Sequence, residues 1–206
     1  AAGMPQVKTV ASNDLDEHLI ENLIMVQKGD YDIYAAGTKL VTAYDMPALG
    51  GVFKTKSYKG APKIKIAEGK TTIPGATNVL RIVRSGRFEG DIIMPAAENV
   101  VADGRLQENI ISFNINSLNG KKADFAVGEE AYALLKPVMA EGRPVSADAV
   151  RPLDDIRAAV RENLSRLDPA YKRLVNPHVY GVGLKQELYR RQQNMVAAYL
   201  AKRERG

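Results

Sequence analysis

Tyr31-Asp-Ile-Tyr-Ala-Ala-Gly-Thr38-Lys-Leu-Val-Thr-Ala-Tyr-Asp-Met-Pro-Ala48 joins a short apolar run to a small-residue turn ending in Gly37-Thr38, then to a polar segment closed by Pro47. An apolar run of strand length that breaks into small residues lets an anion approach main-chain N–H groups, and a threonine hydroxyl adds one more donor. The stretch reads as a strand delivering an anion site, although a small-residue turn without a ligand has the same composition. Upstream, Val7-Lys-Thr-Val-Ala-Ser12 alternates and is rich in branched residues, the pattern of a second strand. Between the two, Asn13 and Asp14 read as a helix cap with acidic residues in the first turn. Leu15, Leu19, Leu23 and Val26 follow at helical spacing, with a stop near Gly29. Strand, helix and strand with short links is a βα repeat, in which ligands meet the carboxyl ends of strands. Ser12, Asn13, Gly37 and Thr38 are therefore expected to face one site, while capping alone also accounts for Asn13 and Asp14.

Around this stretch the composition is that of an ordinary globular chain. Of 206 residues, 45% are hydrophobic and 26% charged, enough for a core in one domain or two small ones. Cysteine is absent, which removes disulfide frameworks and thiolate metal sites and fits a reducing compartment. No apolar run has the length of a membrane span, and Ala1-Ala-Gly-Met-Pro5 lacks the basic and apolar regions of a leader, so the expected location is the cytoplasm. The net charge is +5, and most of the excess lies from position 185 onward, where six cationic residues face Glu187 and Glu204. That tail reads as a solvated helical face. Without aromatic platforms or a nucleic-acid motif, neither nucleic acid nor membrane is expected as a partner.

From Gly50 the pattern changes to strands alone: Val52 to Tyr58, Lys63 to Ile66, Asn78 to Arg84, Phe88 to Met94 and Ile110 to Ile115, separated by turn residues such as Asn119-Gly120. This is the pattern of an antiparallel meander. In Lys63-Ile-Lys-Ile66 the lysines fall on the wet face, not at a catalytic centre. Helices return after Gly128. Glu129 and Glu130 read as the start of one running through Leu134 and Leu135. Asp154 and Asp155 open a second, with Leu153, Ile156, Val160, Leu164 and Leu167 as a core-facing or docking stripe, and a third runs from Lys185 to Lys202. The fold class is α/β, divided into βα units (1–48), an antiparallel β-rich domain (49–128) and a C-terminal helical segment (129–206). His18 and His178, with no second ligand candidate at metal spacing, read as surface or packing residues.

Five blocks carry a resemblance: Ser12-Asn-Asp-Leu-Asp-Glu17, Gly37-Thr-Lys-Leu-Val-Thr42, Asp45-Met-Pro-Ala-Leu-Gly-Gly-Val-Phe-Lys54, Lys65-Ile-Ala-Glu-Gly-Lys-Thr-Thr-Ile-Pro-Gly75 and Asn176-Pro-His-Val-Tyr180. In this order they resemble the C-terminal part of the nicotinate phosphoribosyltransferase family. The resemblance implies the terminal βα units of an irregular phosphoribosyltransferase α/β barrel, followed by an antiparallel β domain and C-terminal helices. It implies a reaction that joins nicotinate to 5-phosphoribosyl 1-diphosphate, coupled to ATP hydrolysis through a phosphohistidine, to give nicotinate mononucleotide and diphosphate for NAD synthesis. The family threonine matching Thr38 contacts the phosphoribosyl donor, with Ala36 and Gly37 as backbone partners and Ser12 and Asn13 at the neighbouring tip.

The chain departs from the family at Ala35, where the usual glycine is replaced by a residue with a Cβ and without the freedom of positive φ. It also begins after the family's Ser-Gly-Asp-Leu segment and after the regions that supply the phosphohistidine, the nicotinate-binding arginine and the substrate-facing aromatic. Neither His18 nor His178 inherits the phosphohistidine role. No catalytic residue and no metal ligand is assigned, and ATP and Mg²⁺ are implied by the resemblance without identifiable residues to hold them. Two βα units cannot close an eight-stranded barrel, so the expected partners are the remainder of the enzyme, the two substrates and a second copy in a homo-oligomer. The alternatives are a non-catalytic accessory or truncated subunit, a related nicotinamide phosphoribosyltransferase and, through the tail, a nucleic-acid binder.

Overall fold

The structure, a computed structural model, describes residues 3–48, 50–67, 71–115, 122–145 and 151–203. The chain divides into two units, one of residues 1–53 with 174–176 and one of residues 54–173 with 177–206. The turn expected at Asn119-Gly120 lies outside the described residues.

In the first unit β1 (Val10–Ala11) pairs in parallel with β2 (Ile33–Tyr34), Val10 opposite Ile33 and Ala11 opposite Tyr34. The link between them carries α1 (Glu17–Glu21) and a π turn over Asn22–Val26. The expected strand, helix and strand are present, with both strands shorter than the sequence suggests. The helix cap is Asp16 and not Asn13 or Asp14. A capping residue needs extended backbone, which Asp16 has at φ −131° while its carboxylate accepts from the Leu19 N–H. Asn13 and Asp14 have φ of 89° and 48°, left-handed values that these short polar residues tolerate, and they turn the chain before the helix begins. After β2, α2 (Thr38–Val41) follows directly on Gly37.

The second unit is built on an eight-stranded sheet. A short hairpin of β3 (Ser57–Tyr58) and β4 (Ala61–Pro62) precedes it. Then come β5 (Thr77–Arg84), β6 (Arg87–Pro95), β7 (Val101–Ala102), β8 (Arg105–Leu106), β9 (Ile110–Asn114), β10 (Lys122–Phe125) and β11 (Glu130–Ala133). A second short hairpin, β12 (Met139–Ala140) with β13 (Arg143–Pro144), leads towards α3 (Leu153–Arg166), and β14 (Val182–Lys185) runs straight into α4 (Gln186–Arg203). The strand order is β10-β9-β14-β6-β5-β11-β8-β7, antiparallel except where β14 lies parallel to β6.

The β5–β6 hairpin forms where the alternation and the Ser85-Gly86 turn require it. Both turn residues have positive φ, 50° and 75°, the geometry whose twist matches the flanking strands. Leu80 and Ile82 on β5 and Ile92 and Met94 on β6 point inward, and with Val100, Leu106, Ile110, Phe125 and Ala131 they form the core. Each large apolar side chain buried this way stabilises by about 1.5–3 kcal/mol. Gly183 lets β14 enter between β6 and β9, since a Cβ there would stand 2.8 Å from the Ser112 Oγ.

Four expectations change. Val52 to Tyr58 is a strand only at Ser57–Tyr58, and Lys63 to Ile66 is not a strand, although its isoleucines are half-buried and its lysines exposed as the alternation predicts. The helix expected from Glu129 to Leu135 is strand β11: Ala131, fully buried opposite Ile82, fills a slot in the sheet that local helix propensity cannot anticipate. The 129–206 segment is therefore not purely helical, because β11 and β14 both belong to the main sheet. Of the two roles open to the α3 stripe, the core-facing one is not taken, since Leu153, Ile156, Val160 and Leu164 are exposed.

The β14–α4 junction is fixed by Lys185. Its side chain is only 9% exposed, and its ammonium donates to Glu98 and Glu108 at 2.6 Å each. Burial works against that charge, but the hydrogen bonds to Glu108 and Glu98 outweigh it and hold the lysine pKa above its ordinary value. On α4, Leu188 is fully buried and Tyr189 stacks on Phe113 with centroids 4.4 Å apart.

Candidate functional site

Parallel pairing decides what lies beside what in the first unit. Because β1 and β2 run in the same direction in register, the residues that follow them leave the same edge of the pair: Ser12 and Asn13 after β1, Ala35, Ala36 and Gly37 after β2. The Ala35 N–H donates to the Ala11 carbonyl at 2.9 Å and carries the pairing up to the point where both chains turn away. Ser12, Asn13, Gly37 and Thr38 are exposed and Ala36 is half-buried. The structure thus brings together the five residues singled out in the sequence at adjacent strand tips.

Thr38 opens α2, and its carbonyl accepts from the Thr42 N–H at 3.0 Å and the Thr42 hydroxyl at 2.8 Å. The Thr38 hydroxyl makes no hydrogen bond with the described residues. The first N–H groups of α2 likewise lack intrahelical acceptors, as at any helix start. A hydroxyl and main-chain donors at a solvent-facing tip suit an oxyanion. Gly37, at φ −118° and ψ −107°, links strand and helix in a conformation outside the usual regions for residues with a Cβ.

Sequence reasoning missed what holds α2 in place. The Lys39 ammonium donates to Asp16 Oδ2 at 2.5 Å, so one carboxylate caps α1 through Leu19 and tethers α2 through Lys39. The hydrogen bond from Lys39 and then that from Leu19 lower the Asp16 pKa, while Asp16 raises that of Lys39. Only the position of Asp16, three residues before Leu19, could have suggested the cap. The Lys39 tether spans 23 residues and leaves no local trace. Next to this pair a cavity of about 300 Å³ opens between α1 and the turn after α2, lined by Asp16, Lys39, Leu40, Tyr44 and Met46 among others.

His18 acquires companions that its sequence neighbourhood does not supply, since ligand atoms of Glu17, His18 and Asp45 lie within 4.8 Å of one another. All three residues are exposed, and an imidazole with two carboxylates is a softer set than the all-oxygen shell Mg²⁺ takes. The group therefore does not fit the implied Mg²⁺, and no step is routed through it. His178 lies in the second unit, its ring 6.2 Å from that of Tyr171 in an edge-on contact. Among the described residues no helix is long and apolar enough to cross a membrane.

Comparison with known proteins gives one consistent answer. A family model for the nicotinate phosphoribosyltransferase C-terminal domain matches residues 77–192. The chain is 33% identical over 198 residues to the nicotinate phosphoribosyltransferase of Bacillus subtilis (strain 168), covering 91% of this chain and 38% of that protein. Over 186 residues it is 31% identical to the Rattus norvegicus nicotinate phosphoribosyltransferase, covering 88% and 33%. The crystal structure of human nicotinic acid phosphoribosyltransferase shares the fold, with a TM-score of 0.65 at 21% identity over 95% of this chain and 34% of the human one. The chain thus spans roughly a third of the length of the relatives it matches.

Proposed function

The chain belongs to the nicotinate phosphoribosyltransferase C-terminal domain family, and on that footing we propose that it is part of a nicotinate phosphoribosyltransferase. In this reading it supplies one wall of the phosphoribosyl-donor site and the C-terminal domain. The enzyme would join nicotinate and 5-phosphoribosyl 1-diphosphate, with ATP hydrolysis, to form nicotinate mononucleotide in NAD biosynthesis. Residues 1–48 contribute terminal βα units of an irregular α/β barrel, and the rest of the enzyme contributes the remaining strands, the phosphohistidine and the base-recognition residues. The cytoplasm is the proposed location. The apolar residues left exposed in the first unit, Leu40 and Val41 among them, suit burial against that remainder or a second copy.

One observation carries the reading: the parallel register of β1 and β2 sets Ser12 and Asn13 beside Ala36, Gly37 and Thr38 at a single sheet edge. Cleaving the bond between ribose C1 and diphosphate builds positive character on the sugar and negative charge on the leaving group, so catalysis depends on positioning and on holding phosphate. The Thr38 hydroxyl and the neighbouring main-chain N–H groups would grip the donor's 5-phosphate and so fix where C1 lies. This chain provides the grip and none of the histidine chemistry. ATP and Mg²⁺ act on groups held elsewhere, Mg²⁺ mainly through the donor's diphosphate.

The test is Thr38→Val in the complete enzyme. Removing one charge-assisted hydrogen bond costs about 1–3 kcal/mol, read as a raised KM for 5-phosphoribosyl 1-diphosphate with the KM for nicotinate unchanged. An unaltered donor KM would remove Thr38 from the site.

A further inference from the structure

The end of the Asn176-Pro-His-Val-Tyr180 block is not among the residues assigned to the donor site, yet it is held firmly. The Tyr180 hydroxyl donates to Asp91 Oδ1 at 3.1 Å, and Asp91 also accepts from Arg81 Nε and Nη2 at 2.9 and 2.8 Å. The Arg81 guanidinium lies 4.4 Å from the Phe88 ring centre and 5.7 Å from that of Tyr180. Burial first, then the Asp91 charge, pushes the Tyr180 phenol well above its usual range, so it stays a donor. The main chain of His178 is pinned by its N–H to the Ala170 carbonyl at 3.0 Å, and Tyr171 meets Tyr180 edge-on at 5.4 Å.

These rings surround a cavity. Phe88, Tyr171, His178 and Tyr180 line it together with Leu164 and Asn163 of α3, and it opens to solvent over about 330 Å³. A hollow of about 450 Å³ adjoins it, sharing Phe88, Tyr171 and His178 and reaching Arg84 and Arg87 at the β5–β6 turn. Small-molecule sites run from roughly 300 to 1,000 Å³ and combine apolar walls with a few polar groups. The cavity sits at the small end of that range, the size for one flat ring system. Its walls are aromatic and aliphatic apart from Arg81, which with the Tyr180 hydroxyl is committed to Asp91, while the His178 imidazole and the Asn163 amide make no hydrogen bond with the described residues.

We propose that this cavity binds the planar heteroaromatic ring of a nucleoside. The ring stacks against Tyr171, and its nitrogens and exocyclic groups are met by Asn163 and His178. The neighbouring hollow receives the sugar and adds little for a phosphate, because its cations are already matched: Arg84 with Glu89 and Glu129, and Arg87 with Asp168. All of these residues belong to the second unit, and none of them is among the five assigned to the donor site.

The experiment is calorimetric titration of adenosine and of adenosine 5′-monophosphate into the 206-residue chain and its Tyr171→Phe, Tyr171→Ala and Asn163→Leu variants. Stacking on an aromatic residue is commonly worth about ten-fold or more in affinity, so Tyr171→Phe should bind within about three-fold of wild type and Tyr171→Ala at least about ten-fold more weakly. The monophosphate should match adenosine within about three-fold, since surface cations already paired add little. No adenosine binding up to about 10 mM overturns the proposal, being weaker than a ring-stacking site requires. Unchanged affinity in a folded Tyr171→Ala overturns it, as does binding of the monophosphate alone. Should Tyr171→Ala fail to fold, Asn163→Leu decides, because this exposed helix position should lose about ten-fold in adenosine affinity at unchanged Tm if its amide reads the ring.

Discussion

The two units of this chain hide apolar surface to very different degrees. In the second, strands β5, β6, β8, β9, β10 and β11 direct Leu80, Ile82, Ile92, Met94, Leu106, Ile110, Phe125 and Ala131 into one core. In the first, only Ala11 and Leu15 among the described residues are buried hydrophobics, while Val10, Ile33, Leu40 and Val41 stay exposed, Leu40 at 71% and Val41 at 84%. Yet the first unit carries the strand tips proposed to hold the donor. A pair of two-residue strands is too short to stand alone, whereas a sheet of eight with an apolar face is self-sufficient. The difference teaches that stability and proposed chemistry sit in separate parts of the chain. The part proposed to carry the chemistry is the one whose apolar faces stay exposed.

Truncations to alanine in the two units should test that contrast most clearly. Ile92→Ala, in the middle of β6 and fully buried, should cost about 2–5 kcal/mol in the urea unfolding of the 206-residue chain. Val41→Ala, at an exposed position, should change the same measurement by less than about 0.5 kcal/mol. If Val41→Ala cost as much as Ile92→Ala, the first unit would be as well packed as the second and the contrast would fall. In the complete enzyme, Val41→Ala should become costly if that face is covered there.

Lys185 offers a smaller effect that reports on the second unit alone. Lys185→Met keeps the volume but leaves Glu98 and Glu108 facing each other without a cation. Breaking a fully buried pair costs more, but these glutamates are 31% and 50% exposed, so water screens them and the loss should be about 1–3 kcal/mol. The folded-state lysine pKa is raised, so its contribution is fully present below the unfolded value near 10.4 and is lost as pH rises through the folded value. The Tm gap between wild type and Lys185→Met should therefore hold steady from about pH 7 to 9 and narrow only above about pH 10.5. A gap that vanished by pH 9 would mean the ammonium is not held by this clamp.

Local signals in the sequence were sufficient wherever one short stretch decided the outcome. The β5–β6 hairpin follows from alternation around Ser85-Gly86, α3 from its helical periodicity, and the tips of β1 and β2 from apolar runs ending in small or polar residues. The sequence misleads where distant partners decide. Glu129-Glu-Ala-Tyr-Ala-Leu-Leu135 has the composition of a helix, but Ala131 opposite Ile82 completes a ladder whose other strand lies almost fifty residues earlier. Lys185 reads as the start of a helix, and nothing nearby indicates that residues 77 and 87 positions away will bury it. The residues proposed for the donor site were legible as a group because both tips are local features. Asp16 and Lys39, which steady them, were not, because each looks like an ordinary surface charge until the fold joins them.

That joined pair supplies the finest test of the contrast, since it asks whether the weakly packed unit is organised by polar contacts instead of a core. Asp16→Asn keeps a side-chain oxygen for the Leu19 N–H, and asparagine caps as well as aspartate, so α1 should persist while the tether to Lys39 is lost. Asp16→Ala removes both. Amide exchange should therefore show Leu19 deprotected only in the alanine variant, and the Val41 and Thr42 amides of α2 exchanging faster in both. The wild type should behave alike on acidification. The folded-state carboxyl pKa is lowered, so the contribution is present above the unfolded value near 3.9 and is lost as pH falls through the folded value. Faster exchange of α2 below about pH 4 in wild type, absent from Asp16→Asn, would assign the effect to this carboxylate. If α2 exchanged identically in all three proteins across that range, the tips of β1 and β2 would owe their order to something other than Asp16, and the polar account of the first unit would lose its footing.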